Sequence, residues 1–415
     1  MTPGTVVVGG SQAAVQLAAS LRERGDGDPI TIIDAQAHPP YQRPPLSKEF
    51  LGGEIDVAAL RLRETTWYDQ HGVTLVLGSA ATTVRRRGDG GVVTCANGSE
   101  YPYRRLVLAT GAGPRRLTVP GSEFAGVHYL RDAADALALA SELDGPGDVV
   151  VIGGGFIGLE VAAGARKRGA RVTVVEAAAR LIGRAVGEQT SAFILEAHRR
   201  RGIDVRVGTT LVRFHGAGGR VAGVELTGGE IIPADVVVVG IGVIPRTELA
   251  EQLELEIDGG IVVDEHAVAS DGRTLAIGDV ATLPTPFARA ATAMPRIRLE
   301  SVDNAIQHAR VAAATIVGIP EQYATVPWFW STQGDLRLQM VGLNAGFDRT
   351  VLRGDPAAEK FSVLYYRGET LLAADCLNDP VDFMAVRRAL AADQHIPPHL
   401  AETDVPLKRL VTTTI

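Results

Sequence analysis

One strand–glycine–helix–strand unit occurs twice in this chain, and few folds accommodate that duplication. Val6-Val7-Val8 runs into Gly9-Gly10, and Val149-Val150-Val151-Ile152 runs into Gly153-Gly154-Gly155. Neither run alternates apolar with polar residues, the pattern of a strand buried on both faces of a parallel sheet. Stretches with helical spacing follow over 13–24 and 157–168 and close on Gly25 and Gly169. Glycine just past a helix end accepts the left-handed conformation that caps it. Further strands are expected over 30–33 and 171–175, and the next residues along the chain include the acids Asp34 and Glu176.

A G-x-G-x-x-G string carries weight when it follows a strand, opens a helix and has an acid about 20 residues on. Gly153, Gly155 and Gly158 with Glu176 meet all three conditions. Gly153 permits the tight turn, Gly155 lets the backbone approach a pyrophosphate, and Gly158 lets helix and strand pack closely. A pyrophosphate then sits at a helix N-terminus, where free N–H groups favour anions. Glu176 is placed to accept hydrogen bonds from ribose hydroxyls and to repel a 2′-phosphate, which favours NADH over NADPH; Arg180 nearby works slightly against that preference. In the first copy Gly9 and Gly10 precede Ser11, Ala13 and Ala14, so serine replaces the second glycine and alanine the third. A duplicated unit could bind a single cofactor, but both copies keep the terminal acid, which favours two Rossmann-type sites. A nicotinamide on one and a flavin on the other make a hydride-transfer pair.

Two more segments echo each other: 106–112 and 236–242 are apolar runs breaking into glycines, and 274–279 is expected as a strand ending in Gly278-Asp279. Glycines at 216–219 and 228–229 read as hairpin turns. From Tyr323 onward the character changes, with Trp328, Phe329 and Trp330 clustered on an expected strand and another strand over 361–366. The division that follows is 1–115 with 244–320 as one dinucleotide-binding domain, 116–243 as a second, and 321–415 as an α+β domain. The fold class is α/β.

The net charge of −7 argues against a nucleic-acid binder. No apolar run approaches the roughly 18 residues of a membrane span, and no secretory leader pattern is seen, so a soluble cytoplasmic protein is expected. Nine histidines form no ligand spacing, so no metal is expected. The two cysteines, Cys95 and Cys376, are far apart and read as small buried hydrophobes. Segment 34–50 holds no cysteine, so there is no thiol to take electrons from a flavin, as disulphide reductases and NADH peroxidases require. Arg85, Arg86 and Arg87 read as a solvated turn beside Gly88.

The motifs in order are Arg43-Pro44-Pro45-Leu46-Ser47-Lys48, Ala109-Thr110-Gly111, Gly153 through Glu160, Gly240-Ile241-Gly242, Ile277-Gly278-Asp279, Glu300-Ser301-Val302 and Pro327-Trp328-Phe329-Trp330-Ser331. This series resembles the FAD- and NADH-dependent ferredoxin reductases of bacterial oxygenase systems, the putidaredoxin reductase type, over nearly the whole chain. The resemblance implies two glutathione-reductase-like Rossmann domains and a C-terminal interface domain. It implies a hydride passed from NADH to FAD, then single electrons to a transiently bound [2Fe–2S] ferredoxin that feeds an oxygenase such as a cytochrome P450. It places Lys48 beside the flavin, with Arg43, Ala81 and Arg131 in contact with FAD and Asp279 on the ribityl chain. Val302, opening a helix expected over 302–316, offers N–H groups to the flavin N1/O2 edge, where a helix N-terminus favours negative charge. Gly9, Ser11, Ala13, Ala14, Asp34, Thr110 and Gly111 complete the FAD set; Ile157 and Gly242 join the NADH set. Glu160 faces the nicotinamide, and Trp330 and Arg310 lie near the ferredoxin-docking face. A monomer or weak dimer is expected. Ser11, Thr332 in place of an acid, and a longer loop at 290–293 depart from the family pattern. The other functions open to such a scaffold are an NADH-dependent quinone or small-molecule reductase and an NADH-sensing flavoprotein.

Overall fold

The computed structural model describes residues 3–143, 147–288 and 296–413. The chain divides into two compact units, one of Met1–Gln42, Ala58–Gly113 and Ile244–Pro327, the other of Arg43–Val57, Pro114–Val243 and Trp328–Ile415.

The first unit is built on a seven-stranded sheet. Val73–Val76, Ile30–Ile33, Gly4–Val8 and Glu100–Leu108 lie side by side in parallel, Leu275–Ala276 adds to Glu100–Leu108, and Gly90–Cys95 and Ala81–Arg87 continue the sheet antiparallel. Every residue of Gly4–Val8 is buried, as an unalternated β-branched run demands. The helix Gln12–Glu23 packs on the helix Val302–Ile316, which keeps its expected bounds. Two expectations need correcting. Arg85, Arg86 and Arg87 end an exposed strand, and the turn is Gly88-Asp89; Arg86 pairs with Asp271 at 2.8 Å. The run 274–279 is a strand only over Leu275–Ala276, because Gly278 turns at φ +74° into the short 3-10 segment Gly278–Val280. The loop at 290–293 lies outside the described residues.

The second unit repeats the plan. A five-stranded parallel sheet runs Asp204–Val207, Arg171–Glu176, Asp148–Ile152, Val236–Val239, Val127–Tyr129. The helix Phe156–Lys167 crosses it from the first glycine loop of the repeat. Of the glycine turns expected at 216–219 and 228–229, the first narrows to Gly218-Gly219, because Gly216 and Ala217 still pair in a strand; the two turns join Leu211–Ala217, Arg220–Leu226 and Ile231–Pro233 into an antiparallel sheet. The C-terminal segment forms a five-stranded antiparallel sheet, ordered Trp328–Gln333, Leu336–Gly342, Thr370–Leu377, Lys360–Arg367, Arg349–Asp355, with the helix Pro380–Ala391 on it. This is the α/β fold with two Rossmann-like sheets and an added α+β segment. Arg43–Val57, which sequence reasoning left with the first domain, groups with the second unit. Both cysteines are buried and free. Among the described residues no helix is long and apolar enough to cross a membrane.

Candidate dinucleotide sites and a buried polar cluster

In the first unit the chain leaves Gly4–Val8 through Gly9 at φ +108°, where a Cβ would stand 2.1 Å from the Ala109 carbonyl oxygen. No other residue type fits there. The Gly10 amide donates to Asp34 Oδ2 at 3.0 Å, and Asp34 Oδ1 accepts from the Gln36 amide at 3.1 Å, so the strand-end acid fastens the glycine loop. Ser11 is the helix N-cap at φ −134°, ordinary extended backbone, so serine at the second motif position causes no strain. Ala13 and Ala14 are buried behind it. A Cβ on Gly278 would lie 3.4 Å from the Ala13 methyl and 3.9 Å from that of Ala305. These three small residues let three chain segments converge: the start of helix Gln12–Glu23, the turn that carries half-buried Asp279, and the start of helix Val302–Ile316. Ser301 Oγ accepts from the Asn304 amide at 3.0 Å and so caps that last helix, placing Val302 at its first position. Two N-termini and a small-residue floor form a donor set suited to an anionic dinucleotide. Of the other residues assigned to FAD, the Thr110 hydroxyl donates to the Arg246 carbonyl at 2.7 Å, Gly111 adopts φ +63°, and Ala81 opens the strand Ala81–Arg87, opposite Cys95. Arg310 is exposed on its helix and reaches Gln307 at 3.4 Å.

The second unit carries the perfect motif. Gly153 (φ +108°) faces the Gly240 carbonyl, 2.4 Å from where a Cβ would stand, and a Cβ on Gly158 would meet the Gly153 oxygen at 2.2 Å and Val151 at 3.2 Å. Gly155 differs: its nearest would-be neighbour is 3.8 Å away, at φ −82°. The protein itself does not require glycine at 155; a ligand approaching this helix N-terminus would. The site thus fits a pyrophosphate by its open cradle as well as by its donors. Glu176 Oε2 accepts from the Gly154 amide at 2.6 Å and Oε1 from Ala178 at 2.7 Å, the same fastening as Asp34 on Gly10. The Arg180 guanidinium is held by the Gly183 and Val186 carbonyls at 2.9 and 3.1 Å. Ile157 is 38% exposed beside the loop, open to stacking on a flat ligand. Gly242 adopts φ +98°, with Arg184 Nη2 3.6 Å from its would-be Cβ.

A third group of residues lies inside the second unit. Lys48 follows the 3-10 turn Pro44–Ser47, and its Nζ sits 2.7 Å from Glu160 Oε2 with little exposure on either side chain. Ser47 Oγ donates to the same oxygen at 2.5 Å, and Ser331 Oγ donates to Glu160 Oε1 at 2.6 Å. Beyond Ser331 come Gln333 and His198, joined by contacts of 3.2 and 2.8 Å. Lys48 and Glu160, assigned separately to flavin and nicotinamide, are thus one ion pair. Arg43 and Arg131 also meet, Nη1 of Arg43 donating to the Arg131 carbonyl at 2.9 Å. Trp330 is half-buried, stacked on Trp328 with ring centres 5.4 Å apart.

Residues 4–313 match the pyridine nucleotide-disulphide oxidoreductase family, and residues 328–411 match the reductase C-terminal family. The chain belongs to the pyridine nucleotide-disulphide oxidoreductases. This oxidoreductase is 43% identical over 404 residues to rhodocoxin reductase of Rhodococcus erythropolis, covering 97% of this chain and 93% of that one. It is 42% identical over 407 residues to a ferredoxin–NAD(P)(+) reductase of a Sphingomonas species, covering 98% and 97%. Among solved structures, the covalent putidaredoxin reductase–putidaredoxin complex matches with a TM-score of 0.94 and 37% identity, over 99% of this chain and 98% of that one. Gln333 and His198 of the oxidoreductase escaped sequence reasoning, and Ser47 and Ser331 entered it only as members of their motifs, with no role given. The alternation Phe329, Ser331, Gln333 was a readable signal that Ser331 and Gln333 act together, because residues two apart on a strand share a face.

Proposed function

We propose that this protein is an FAD-dependent NADH:ferredoxin reductase that supplies single electrons to a [2Fe–2S] ferredoxin of an oxygenase system. The observation that carries the reading is similarity along essentially the whole chain to ferredoxin reductases, including one solved with putidaredoxin bound. The absence of any cysteine between Asp34 and Phe50 supports it, since electrons then have no thiol to stop on. FAD, when bound, supplies the conversion of one hydride into two single electrons. Gly9, Gly10, Ser11, Ala13, Ala14, Asp34, Ala81, Thr110, Gly111, Asp279 and Val302 hold it, and Arg43 and Arg131 are assigned to it as well. The amides at the start of Val302–Ile316 stabilise negative charge on the ring. Gly153, Gly155, Ile157, Gly158, Glu176 and Gly242 bind NADH. Glu176 repels a 2′-phosphate, and Arg180 does not offset this, because its guanidinium is committed to Gly183 and Val186. Lys48 and Glu160 orient the nicotinamide and flavin for hydride transfer, and Arg310 and Trp330 receive the ferredoxin. The protein is read as cytoplasmic and as a monomer or weak dimer.

A coupled assay tests the reading. With FAD-loaded enzyme, cytochrome c reduction requires added [2Fe–2S] ferredoxin and runs at least about tenfold better on NADH than on NADPH, as one unscreened carboxylate predicts. Glu176→Ala narrows that ratio. Equal use of NADPH, or quinone reduction with no response to ferredoxin, contradicts it.

A further inference from the structure

Glu160 faces the strand Trp328–Gln333 from the helix Phe156–Lys167. Phe329, Ser331 and Gln333 share one face of that strand, and two successive contacts follow the helix: Phe156 on Phe329, ring centres 4.9 Å apart, and Glu160 on Ser331 at 2.6 Å. Glu160, Ser331, Gln333 and His198 are exposed by 5%, 0%, 1% and 0%. Four polar side chains buried to this degree stand in single file.

Elementary donor–acceptor chemistry orients the file. An ionised carboxylate only accepts, so the Ser331 hydroxyl donates to Glu160. Ser331 Oγ must then receive its other hydrogen bond, which Gln333 Nε2 supplies. That turns Gln333 Oε1 toward His198 Nε2 at 2.8 Å, and an amide oxygen needs a donor there. His198 therefore carries its proton on Nε2. Its Nδ1 is buried with no partner among the described residues, which suits a bare ring nitrogen and not an N–H. Burial lowers the pKa of His198, which favours the neutral ring. Every hydrogen bond in the file points at Glu160.

We propose that Ser331, Gln333 and His198 are positioning residues for hydride transfer: they fix Glu160 Oε1 so that Oε2 is presented to Ser47 and Lys48. The proposal rests on the role given to Glu160 above. A carboxylate whose Oε1 loses its donor is left with an unpaired buried oxygen and a free terminal torsion, which misplaces the ion pair with Lys48.

Two measurements on the FAD-loaded enzyme decide it. In nitrogen-15 NMR of histidine-labelled wild-type protein at pH 8, His198 shows the neutral Nε2–H tautomer; an Nδ1–H tautomer, or an imidazolium at that pH, overturns the proposal. This readout survives even if a variant fails to fold. In anaerobic stopped-flow with NADH, Ser331→Ala lowers the limiting rate of flavin reduction about tenfold while the apparent Kd for NADH moves less than about twofold, and Ser331→Thr, which keeps the hydroxyl, restores the rate. A lower melting temperature with an unchanged limiting rate overturns the positioning role. If Glu160→Gln slows reduction and Ser331→Ala does not, Glu160 keeps its role and the file loses its own. If neither slows it, both readings fall.

Discussion

Gly153 and Gly155 are two residues apart and serve different masters. At Gly153 the fold demands glycine, through a left-handed φ and the Gly240 carbonyl 2.4 Å from a would-be Cβ. At Gly155 the fold leaves room for a methyl group. Gly153→Ala should therefore cost about 2 kcal/mol or more in stability, whereas Gly155→Ala should stay within about 0.5 kcal/mol of wild type and weaken NADH binding about tenfold. Thermal melting and NADH titration of the two variants check this, and equal losses of stability would contradict it. These glycine roles were legible in the sequence because they depend on backbone conformation, which the motif spacing encodes. The file from Glu160 to His198 was not legible, because its members are brought together from positions 160, 198, 331 and 333 by tertiary packing alone.

The helix Glu188–Arg200 and the strands Lys360–Arg367 and Thr370–Leu377 are tied at a second buried point. The Tyr365 hydroxyl donates to the Asp375 carboxylate, and the Gly187 amide at the helix N-cap donates to Tyr365 Oη at 2.9 Å. Burial pushes the Asp375 carboxyl up from 3.8 to about 6. Between those values the folded protein keeps a proton that the unfolded chain has released, so this group's stabilising contribution is full below about pH 4 and is lost as pH rises through 6. Asp375→Asn removes that slope. Its stability relative to wild type should rise by on the order of 2–3 kcal/mol between pH 4 and pH 7, measured by denaturant unfolding at each pH. A constant difference would contradict the burial of an ionisable carboxyl at this junction. Sequence reasoning reached the strand Lys360–Arg367 itself, through its apolar run, but misread two other elements. The arginines at 85–87 looked like a turn because charge and Gly88 outweighed the β-branched residues before them, and an antiparallel strand with solvent on its outer face tolerates both. The run at 274–279 looked continuous because a glycine's left-handed turn leaves no trace in hydropathy.

The duplicated βαβ unit foretold the parallel strands at the centre of both sheets, since burial on two faces imposes the same unalternated pattern on each copy. The C-terminal segment was legible only as a change of character, and its grouping with Pro114–Val243 and Arg43–Val57 depends on tertiary proximity that no local pattern reports. What the assembled chain is proposed to do is pass electrons from NADH to an iron–sulfur protein. The most direct test is an anaerobic double-mixing experiment: the FAD-loaded protein receives one equivalent of NADH, then an oxidised [2Fe–2S] ferredoxin, and flavin and cluster absorbance are followed together. The account predicts flavin bleaching by NADH, followed by recovery of flavin absorbance in step with cluster reduction. Bleaching that persists while every ferredoxin offered stays oxidised would contradict it.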